Sequence, residues 1–313
     1  NDRADFLTSA GTASAADVDG DGEVELAGLV PTGLGAQVFV MDPTDCSAIS
    51  NPIPADSGQP TATPVSTLIN LDDDPQLEVV VPYFRFATDE TVNGPGNPRI
   101  RLMGFNLDGT PLEAWSTNGL SEHVGFQGAD EGWATSPVAA DLTGDGSITL
   151  LAGYSSVSRT GLEPGVCRAV AAGTGCNAVV AWDGRTGEIR WQFIGGVTRS
   201  SGRSLSPTIV DLDMDGDSEI IWNQLVLDHE GKLLFELPVE RTLLVADFEL
   251  YGNVMLTVAI GNFDNDPFPE IVGYDNTHFY LFSHDGSLQW QRPYDGDGFD
   301  FPWVGLTLAE LDG

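Results

Sequence analysis

The chain alternates short apolar runs with clusters of Gly, Asp, Asn and Pro along its whole length. The apolar runs are rich in Val, Ile, Leu and aromatic residues, which fit a pleated, half-buried surface. No stretch repeats apolar residues with the 3.6-residue period of an amphipathic helix. The pattern therefore predicts an all-β protein that is built from many short strands.

One unit of the chain, residues 206–238, displays the pattern in full. Turn-forming residues separate its apolar runs, so we expect successive strands to pair antiparallel. The predicted strands of this unit are residues 208–212, 219–224, 225–227 and 233–237. The same pattern predicts strands 179–183 and 188–193 in the preceding unit, and 256–260, 271–274, 279–283 and 288–291 in the following one.

A nine-residue acidic loop, Asp211 to Glu219, connects the first two predicted strands of this unit. Acidic residues occupy its positions 1, 3, 5 and 9. The loop recurs with first positions at residues 17, 70, 141, 211 and 262, and a further copy begins at Glu310. These copies are 53, 71, 70, 51 and 48 residues apart, and such self-similarity indicates a repeat architecture.

Four antiparallel strands in each unit of about 50 residues are typical of a β-propeller. We expect one domain over residues 1–313, a truncated propeller of five full four-stranded blades and the first strand of a sixth. The repeats are expected at residues 10–60, 64–117, 136–194, 206–238 and 254–292, with a partial repeat at 301–313.

Alternate carboxylates on a short loop suit a hard cation, because Ca²⁺ binds about six to eight oxygen ligands. We expect the side chains at positions 1, 3, 5 and 9 to coordinate four to five calcium ions. An EF-hand is excluded, because strands flank the loop and no copy has Glu at position 12. A metal-free acidic turn is the alternative for any single copy, and five copies in register weigh against it. The expected metal ligands are Asp17, Asp19, Asp21, Glu25, Asn70, Asp72, Asp74, Glu78, Asp141, Thr143, Asp145, Asp211, Asp213, Asp215, Glu219, Asn262, Asp264, Asp266 and Glu270.

The third copy departs from this pattern, because Thr143 and Thr149 replace carboxylates at positions 3 and 9. We expect it to be the weakest site. The second and fifth copies carry Pro75 and Pro267 where the others have Gly. Since Pro fixes φ near −65° and removes a donor, the turn there is expected to differ slightly.

The order of apolar strand, Asp/Asn-x-Asp-x-Asp-Gly-x-x-Glu loop and apolar strand resembles the FG-GAP (VCBS-type) calcium-binding repeats of integrin-α-like propellers and bacterial surface proteins. This resemblance implies that each loop lies between the innermost and second strands of a blade. The stretch from Val179 to Trp191 also looks like the tryptophan-docking turn of quinoprotein-type propellers, and Asp285 to Trp290 is a weaker echo. That second likeness is architectural, and it implies no quinone cofactor.

The net charge of −34 argues against nucleic acid and anionic membranes as partners, because both attract basic proteins. Five divalent ions would bring the charge to −24. No apolar run reaches the 18 residues of a membrane span, so direct membrane insertion is not expected.

The three cysteines leave the redox compartment open. Cys167 and Cys176 flank a stretch of small residues and are expected to form a disulfide, which would imply an oxidising compartment. Two free thiols are the alternative. Cys46 has no evident partner in the sequence.

Longer connections in the second and third units suggest a binding face opposite the calcium loops. The excess residues are 84–98, 155–177 and 116–135. Loops that merely cover the end of the propeller are the alternative. The expected ligand-binding residues are Phe84, Arg85, Phe86, His123, Trp133 and Arg159.

These features predict an extracellular protein, secreted or on the cell surface, in which calcium stabilises an adhesion or recognition module. Its expected partners are a protein or glycan ligand and other domains of a larger surface protein. The four histidines are far apart and no nucleophile motif occurs, so no catalytic residue and no enzymatic activity are expected. The alternative is the propeller of a polysaccharide lyase-like secreted enzyme.

Overall fold

The chain forms antiparallel sheets throughout the part that the structure describes. The computed structural model describes residues 14–32, 35–44, 48–52, 67–72, 74–85, 99–115, 119, 121, 124–125, 131–158, 174–199, 206–239, 256–275 and 278–294. Within these ranges there are 21 strands in five sheets and no α-helix. Accordingly, no helix there is long and apolar enough to cross a membrane. The all-β prediction is confirmed.

The first two sheets follow chain order. The first contains β1 (Ser14–Ala16), β2 (Glu25–Thr32), β3 (Gly35–Met41) and β4 (Ala48–Pro52). The second contains β5 (Thr67–Ile69), β6 (Glu78–Arg85), β7 (Arg99–Phe105) and β8 (Val124–Gly125).

The last three sheets also run in chain order, except that β9 of the third sheet pairs with β11. The third contains β9 (Glu131–Ala134), β10 (Val138–Asp141), β11 (Ile148–Ser158), β12 (Thr174–Asp183) and β13 (Ile189–Arg199). The fourth contains β14 (Thr208–Val210), β15 (Glu219–Trp222), β16 (Leu225–Leu227) and β17 (Leu233–Glu236). The fifth contains β18 (Thr257–Gly261), β19 (Glu270–Tyr274), β20 (His278–Phe282) and β21 (Leu288–Pro293).

The third sheet differs from the prediction in its long strands and its extra strand. β11 and β12 stay paired as far as Ser158 and Thr174, so the two ends of the predicted 155–177 insertion, residues 155–158 and 174–177, are strand. β9 pairs with the far half of β11, beyond the part that β10 covers. The three residues 135–137, which include Pro137, separate β9 from β10 because Pro has no N–H for the ladder.

Apolar side chains fill the spaces between neighbouring sheets. Val80 and Leu102 of the second sheet pack with Leu150, Val180 and Trp182 of the third, and all five are fully buried. Similar clusters join the third sheet to the fourth and the fourth to the fifth. Each such aliphatic side chain contributes about 1.5–3 kcal/mol by leaving water, so these contacts fix the order of the sheets.

An aromatic ring on the outer strand of one sheet packs on a glycine turn of the next. Trp191 of β13 donates its indole N–H to the carbonyl of His229, at 2.9 Å between Nε1 and O. Its ring covers Gly231, which has a φ of 79°. A Cβ at Gly231 would lie 2.4 Å from the ring, so only glycine allows this contact. This is the tryptophan docking that the sequence suggested for this unit.

Two further contacts of this kind were not predicted. Trp115 of the second sheet is 2% exposed, covers Gly187 of the third and donates to the carbonyl of Gly184 at 2.8 Å. Phe235 of the fourth sheet covers Gly286 of the fifth in the same way, without a polar group. The side chain of one sheet thus completes the turn of its successor.

Candidate metal centres

Four of the five acidic loops bring carboxylates together where a first strand passes into a second. In each, one oxygen from each of three carboxylates lies within 4.8 Å of the other two, so each group could hold a metal ion. These groups are Asp17, Asp19 and Glu25; Asp72, Asp74 and Glu78; Asp211, Asp213 and Glu219; and Asp264, Asp266 and Glu270.

The glutamate at position 9 is held inside the loop by the backbone. It is the first residue of the second strand, and Glu78, Glu219 and Glu270 are 1%, 6% and 1% exposed. Its Oε2 accepts a hydrogen bond from the N–H of position 2 in all four loops, at 2.6–3.0 Å between N and O. One oxygen of each of these glutamates also lies within 4.8 Å of the two aspartates of its group.

Two short side-chain turns fold the loop around this glutamate. The position-3 Asp accepts from the N–H of position 5, at 2.8–3.3 Å. The position-5 Asp accepts from the N–H of position 7, at 2.8–2.9 Å. Asp is suited to such turns because its short carboxylate reaches the backbone two residues ahead. The alternating acids therefore shape the loop as well as supplying oxygens.

The loops come in two variants that are set by the residue at position 6. Where this residue is Gly, its N–H donates to Oδ2 of the position-1 Asp: Gly22 to Asp17 at 2.9 Å and Gly216 to Asp211 at 3.1 Å. Because Pro has no N–H, Pro75 and Pro267 cannot make this bond. In those two loops position 1 is Asn, and its side-chain amide donates to the carbonyl of position 5. Position 1 and position 6 thus change together.

The predicted ligands are brought together only in part. Asp21 and Asp215 lie in their loops but outside the three-carboxylate groups. Asn70 and Asn262 turn their NH₂ groups to the backbone and keep a side-chain oxygen that can still serve as a ligand. The position-9 glutamates and the position-3 aspartates belong to all four groups.

The electrostatics of these loops fit a cation. Oδ1 of Asp211 is buried without a hydrogen-bond partner, which is costly for a carboxylate oxygen unless a cation binds it. Burial raises the pKa of Glu78 to about 7, with the charges of Asp72 and Asp74 adding to the effect. Burial and the neighbouring aspartates likewise raise the pKa of Glu219. The residues present therefore fit a metal ion that binds oxygen ligands.

The third loop forms no such carboxylate group. Asp141 accepts the N–H of Gly146 at 2.7 Å, and Asp145 accepts that of Ser147 at 2.8 Å, so the turn itself resembles the others. At position 9, Thr149 is fully buried and receives a hydrogen bond from the guanidinium of Arg190. The predicted ligand Thr143 is exposed and contacts Asp141 only through its N–H.

Arg190 was not singled out from the sequence. It follows Thr149 by 41 residues and lies on β13, two strands away from the β11 that carries Thr149. Only the register of the strands brings the two together, so no local motif signals the contact.

The predicted binding face lies partly outside the described residues. Phe84 and Arg85 end β6, where the register sets Arg85 opposite Arg99. β9, which contains Trp133, lies against β6. Phe86, His123 and Arg159 lie outside the described residues, as do Cys46 and Cys167, so the predicted disulfide has only Cys176 within them.

No protein-family model matches the chain, and no curated protein matches it. Among solved structures it is similar to the exotype rhamnogalacturonan lyase YesX, with a TM-score of 0.53 and 17% identity over 93% of this chain and 50% of that one. The rhamnogalacturonan lyase YesW gives 0.50 and 16%, over 90% and 50% of the two chains. A Bacillus licheniformis rhamnogalacturonan lyase gives 0.52 and 16%, over 91% and 51%. At this identity the likeness shows the fold alone, and the chain spans about half the length of these lyases.

The expectation of no enzymatic activity is wrong on this comparison. Three solved chains that match nine-tenths of this chain with a TM-score of at least 0.50 are named as lyases, so this fold is one that enzymes use. Scattered histidines and the lack of a nucleophile motif were a poor ground for excluding catalysis. The resemblance to FG-GAP repeats stays a prediction, since no family model matches.

Proposed function

We propose that the chain is a calcium-stabilised β-propeller of an extracellular protein that acts on acidic polysaccharide. The observation that carries this proposal is the recurrence of an oxygen-only group at the same strand connection in four sheets. The ligands would be the three carboxylates of each group, completed by the position-5 Asp in the first and fourth loops, by the position-1 Asn in the second and fifth, and by the position-7 carbonyl in all four. Calcium would supply the positive charge that holds the first two strands of each sheet together.

Calcium is favoured over other common metals by the chemistry of the donors. The groups contain no His and no Cys, so the soft or imidazole ligands that zinc and copper prefer are missing from them. Magnesium demands a near-octahedral shell and keeps several waters, whereas calcium accepts irregular cages of protein oxygens.

A propeller is favoured by the way in which the sheets succeed one another. All five are antiparallel, and apart from β9 their strands follow chain order. From the second sheet onward each packs on the next through one apolar cluster and one aromatic–glycine contact. Repeating one step of this kind arranges the sheets radially. The FG-GAP resemblance points to the same arrangement.

Polysaccharide is favoured by the lyases that share this fold, whose names specify rhamnogalacturonan, a polymer that contains uronic acid. The face opposite the loops is the proposed place for it. Arg85 lies seven residues along β6 from Glu78, which is roughly 23 Å at 3.3 Å per residue. The far end of β6 and the neighbouring β9 therefore lie well away from the ions.

The charge of the chain makes calcium a condition for this function. A protein of net charge −34 repels a polyuronide, and four bound ions reduce that charge only to about −26. Binding therefore requires the ions as well as local basic residues, and we expect it to fail in a chelator.

The test uses rhamnogalacturonan and polygalacturonate with the purified chain, in calcium and in EGTA, with dextran as the uncharged control. We expect retardation in gels containing the acidic polymers and none with dextran, in calcium only. Ultraviolet absorbance of unsaturated uronic acid reports cleavage in the same samples. If calcium supports neither retardation nor unsaturated product, the polysaccharide proposal is overturned. If mass spectrometry finds no bound calcium, the proposed metal sites are overturned.

A further inference from the structure

The guanidinium of Arg190 bonds to position 9 of the third loop, the position at which the other four loops have a glutamate. Its Nη1 donates to Oγ1 of Thr149 at 2.6 Å, and its Nη2 donates to Oδ2 of Asp183 at 2.8 Å. Thr149 and Asp183 are direct partners across β11 and β12. The guanidinium of Arg190 on β13 therefore bonds to both β11 and β12 at the end of the sheet that bears the acidic loop.

The charge of this guanidinium acts on the loop itself. Hydrogen bonds from Ser147 and Thr143 lower the pKa of Asp145, and the charge of Arg190 adds to that effect. Arg190 and Thr186 also hold the pKa of Asp183 below its usual value, against the effect of burial. A guanidinium stays charged at every physiological pH, so its charge cannot be titrated away.

The residues that correspond to Arg190 in the fourth and fifth sheets are not cations. Trp191, Phe235 and Trp290 are equivalent, since each pairs with the strand that precedes its own (β12, β16 and β20), and Arg190 precedes the first of them. The residues that precede the other two are Leu234 and Gln289. A fixed cation therefore occupies this place in the third sheet, where Thr replaces Glu at position 9, and is missing from it in the fourth and fifth sheets, which keep Glu.

We propose that Arg190 is the built-in cation of the third sheet, which consequently binds no calcium and keeps its structure when calcium is removed from the other loops. This inference rests on the calcium role proposed above. It makes the third sheet the part of the molecule that is insensitive to calcium.

The first test counts ions and maps their effect. Native mass spectrometry of the calcium-loaded chain should find four ions, and a fifth ion that is lost in Thr143→Ala/Thr149→Val overturns the inference. Hydrogen exchange in EGTA should speed up at least tenfold at the start of β6, β15 and β19, while β11 changes less than twofold. Equal acceleration in β11 also overturns it.

The second test removes or exchanges the cation. Arg190→Gln should speed exchange at the start of β11 several-fold in calcium and in EGTA alike, whereas Arg292→Gln, which removes an exposed arginine from β21, should not. The triple change Thr143→Asp, Thr149→Glu and Arg190→Gln should raise the ion count from four to five. An unchanged count in a folded triple variant, or an Arg190→Gln chain that exchanges like the parent, contradicts the inference. If the parent chain binds no calcium, the proposed function is contradicted. The Arg190→Gln exchange rates still test the guanidinium contact in that case.

Discussion

The third and fourth sheets are packed on each other, yet their acidic loops are stabilised by different means. The fourth loop gathers Asp211, Asp213 and Glu219 within 4.8 Å and buries an oxygen that has no hydrogen-bond partner. The third loop has Thr149 in place of the glutamate and an arginine bonded to it. The backbone turn is similar in both, since Gly146 and Gly216 each donate to the position-1 Asp. The difference shows that the turn is encoded separately from the charge that it carries.

Calcium removal gives the largest expected effect on this comparison. At a free calcium concentration of 100 times the dissociation constant, each bound ion stabilises the folded chain by about 2.7 kcal/mol. Loss of four ions should therefore lower the melting temperature by more than about 10 °C, since 1 kcal/mol shifts it by a few degrees. A calorimetric scan in EGTA measures this, and addition of excess calcium is the control. An unchanged melting temperature would contradict a structural role for the metal.

The substitution Glu219→Gln should have the next largest effect, and its effect on the free energy of unfolding should depend on whether calcium is present. In calcium it should cost about 3 kcal/mol, because the fourth loop loses its ion. In EGTA it should be neutral or stabilising, because a buried carboxylate beside two aspartates is replaced by a neutral amide. Denaturant unfolding in both conditions measures the difference. Glu230→Gln, which removes an exposed acid of the same sheet, should behave alike in both.

The pH dependence of stability should also differ with and without calcium. Burial raises the pKa of Glu78 from 4.5, the value for the unfolded chain, to about 7 in the folded chain. Between these two pH values only the folded state keeps the proton. Stability in EGTA should therefore fall as the pH rises through this window. In calcium the carboxylate is bound and the trend should weaken or reverse. Thermal scans at several pH values measure this, and Glu78→Gln should reduce the slope in EGTA.

The smallest effect concerns position 4 of the two loops. Met214 of the fourth loop has a φ of 61°, whereas the third loop has Gly144 at 67°. Met214→Gly should stabilise the chain by about 0.5–1 kcal/mol by relieving a left-handed conformation. Gly144→Ala should destabilise it by a similar amount, because an added Cβ meets no atom within 4 Å and only the backbone is strained. Denaturant midpoints measure both, and changes of equal sign would contradict this account.

The sequence predicted the repeating part of this molecule well, because one nine-residue spacing defined it. The strand at Leu225–Leu227 has the predicted bounds, and most others differ by one or two residues at their ends. Some predicted strands extend too far because apolar residues such as Leu212 and Leu237 are buried without belonging to a strand. Burial and strand pairing are separate properties, and the pattern reports the first.

The parts that the sequence did not predict depend on contacts between distant strands. Arg190 reaches Thr149 through the register, and Trp115 reaches Gly187 across a sheet boundary. The pairing of β9 with the far half of β11 also depends on the unpredicted length of that strand. The coupling between Asn and Pro within a loop was, in contrast, visible in two copies and required only that the missing N–H of Pro be followed to its acceptor.

The peptide groups of neighbouring loops are joined directly. The N–H of Leu77, at position 8 of the second loop, donates to the carbonyl of Val18, at position 2 of the first, at 2.9 Å. Ser218 donates to Leu142 in the same relation, from the fourth loop to the third, at 2.8 Å. The N–H of position 2 donates to the position-9 residue of its own loop where that residue is glutamate. Position 8 directly precedes the position-9 glutamate of the neighbouring loop. Ordering one loop therefore lowers the entropy cost of ordering its neighbour, so calcium ions should bind cooperatively to the first and second loops. The fourth loop, in contrast, is bonded to the third loop, which Arg190 orders without calcium.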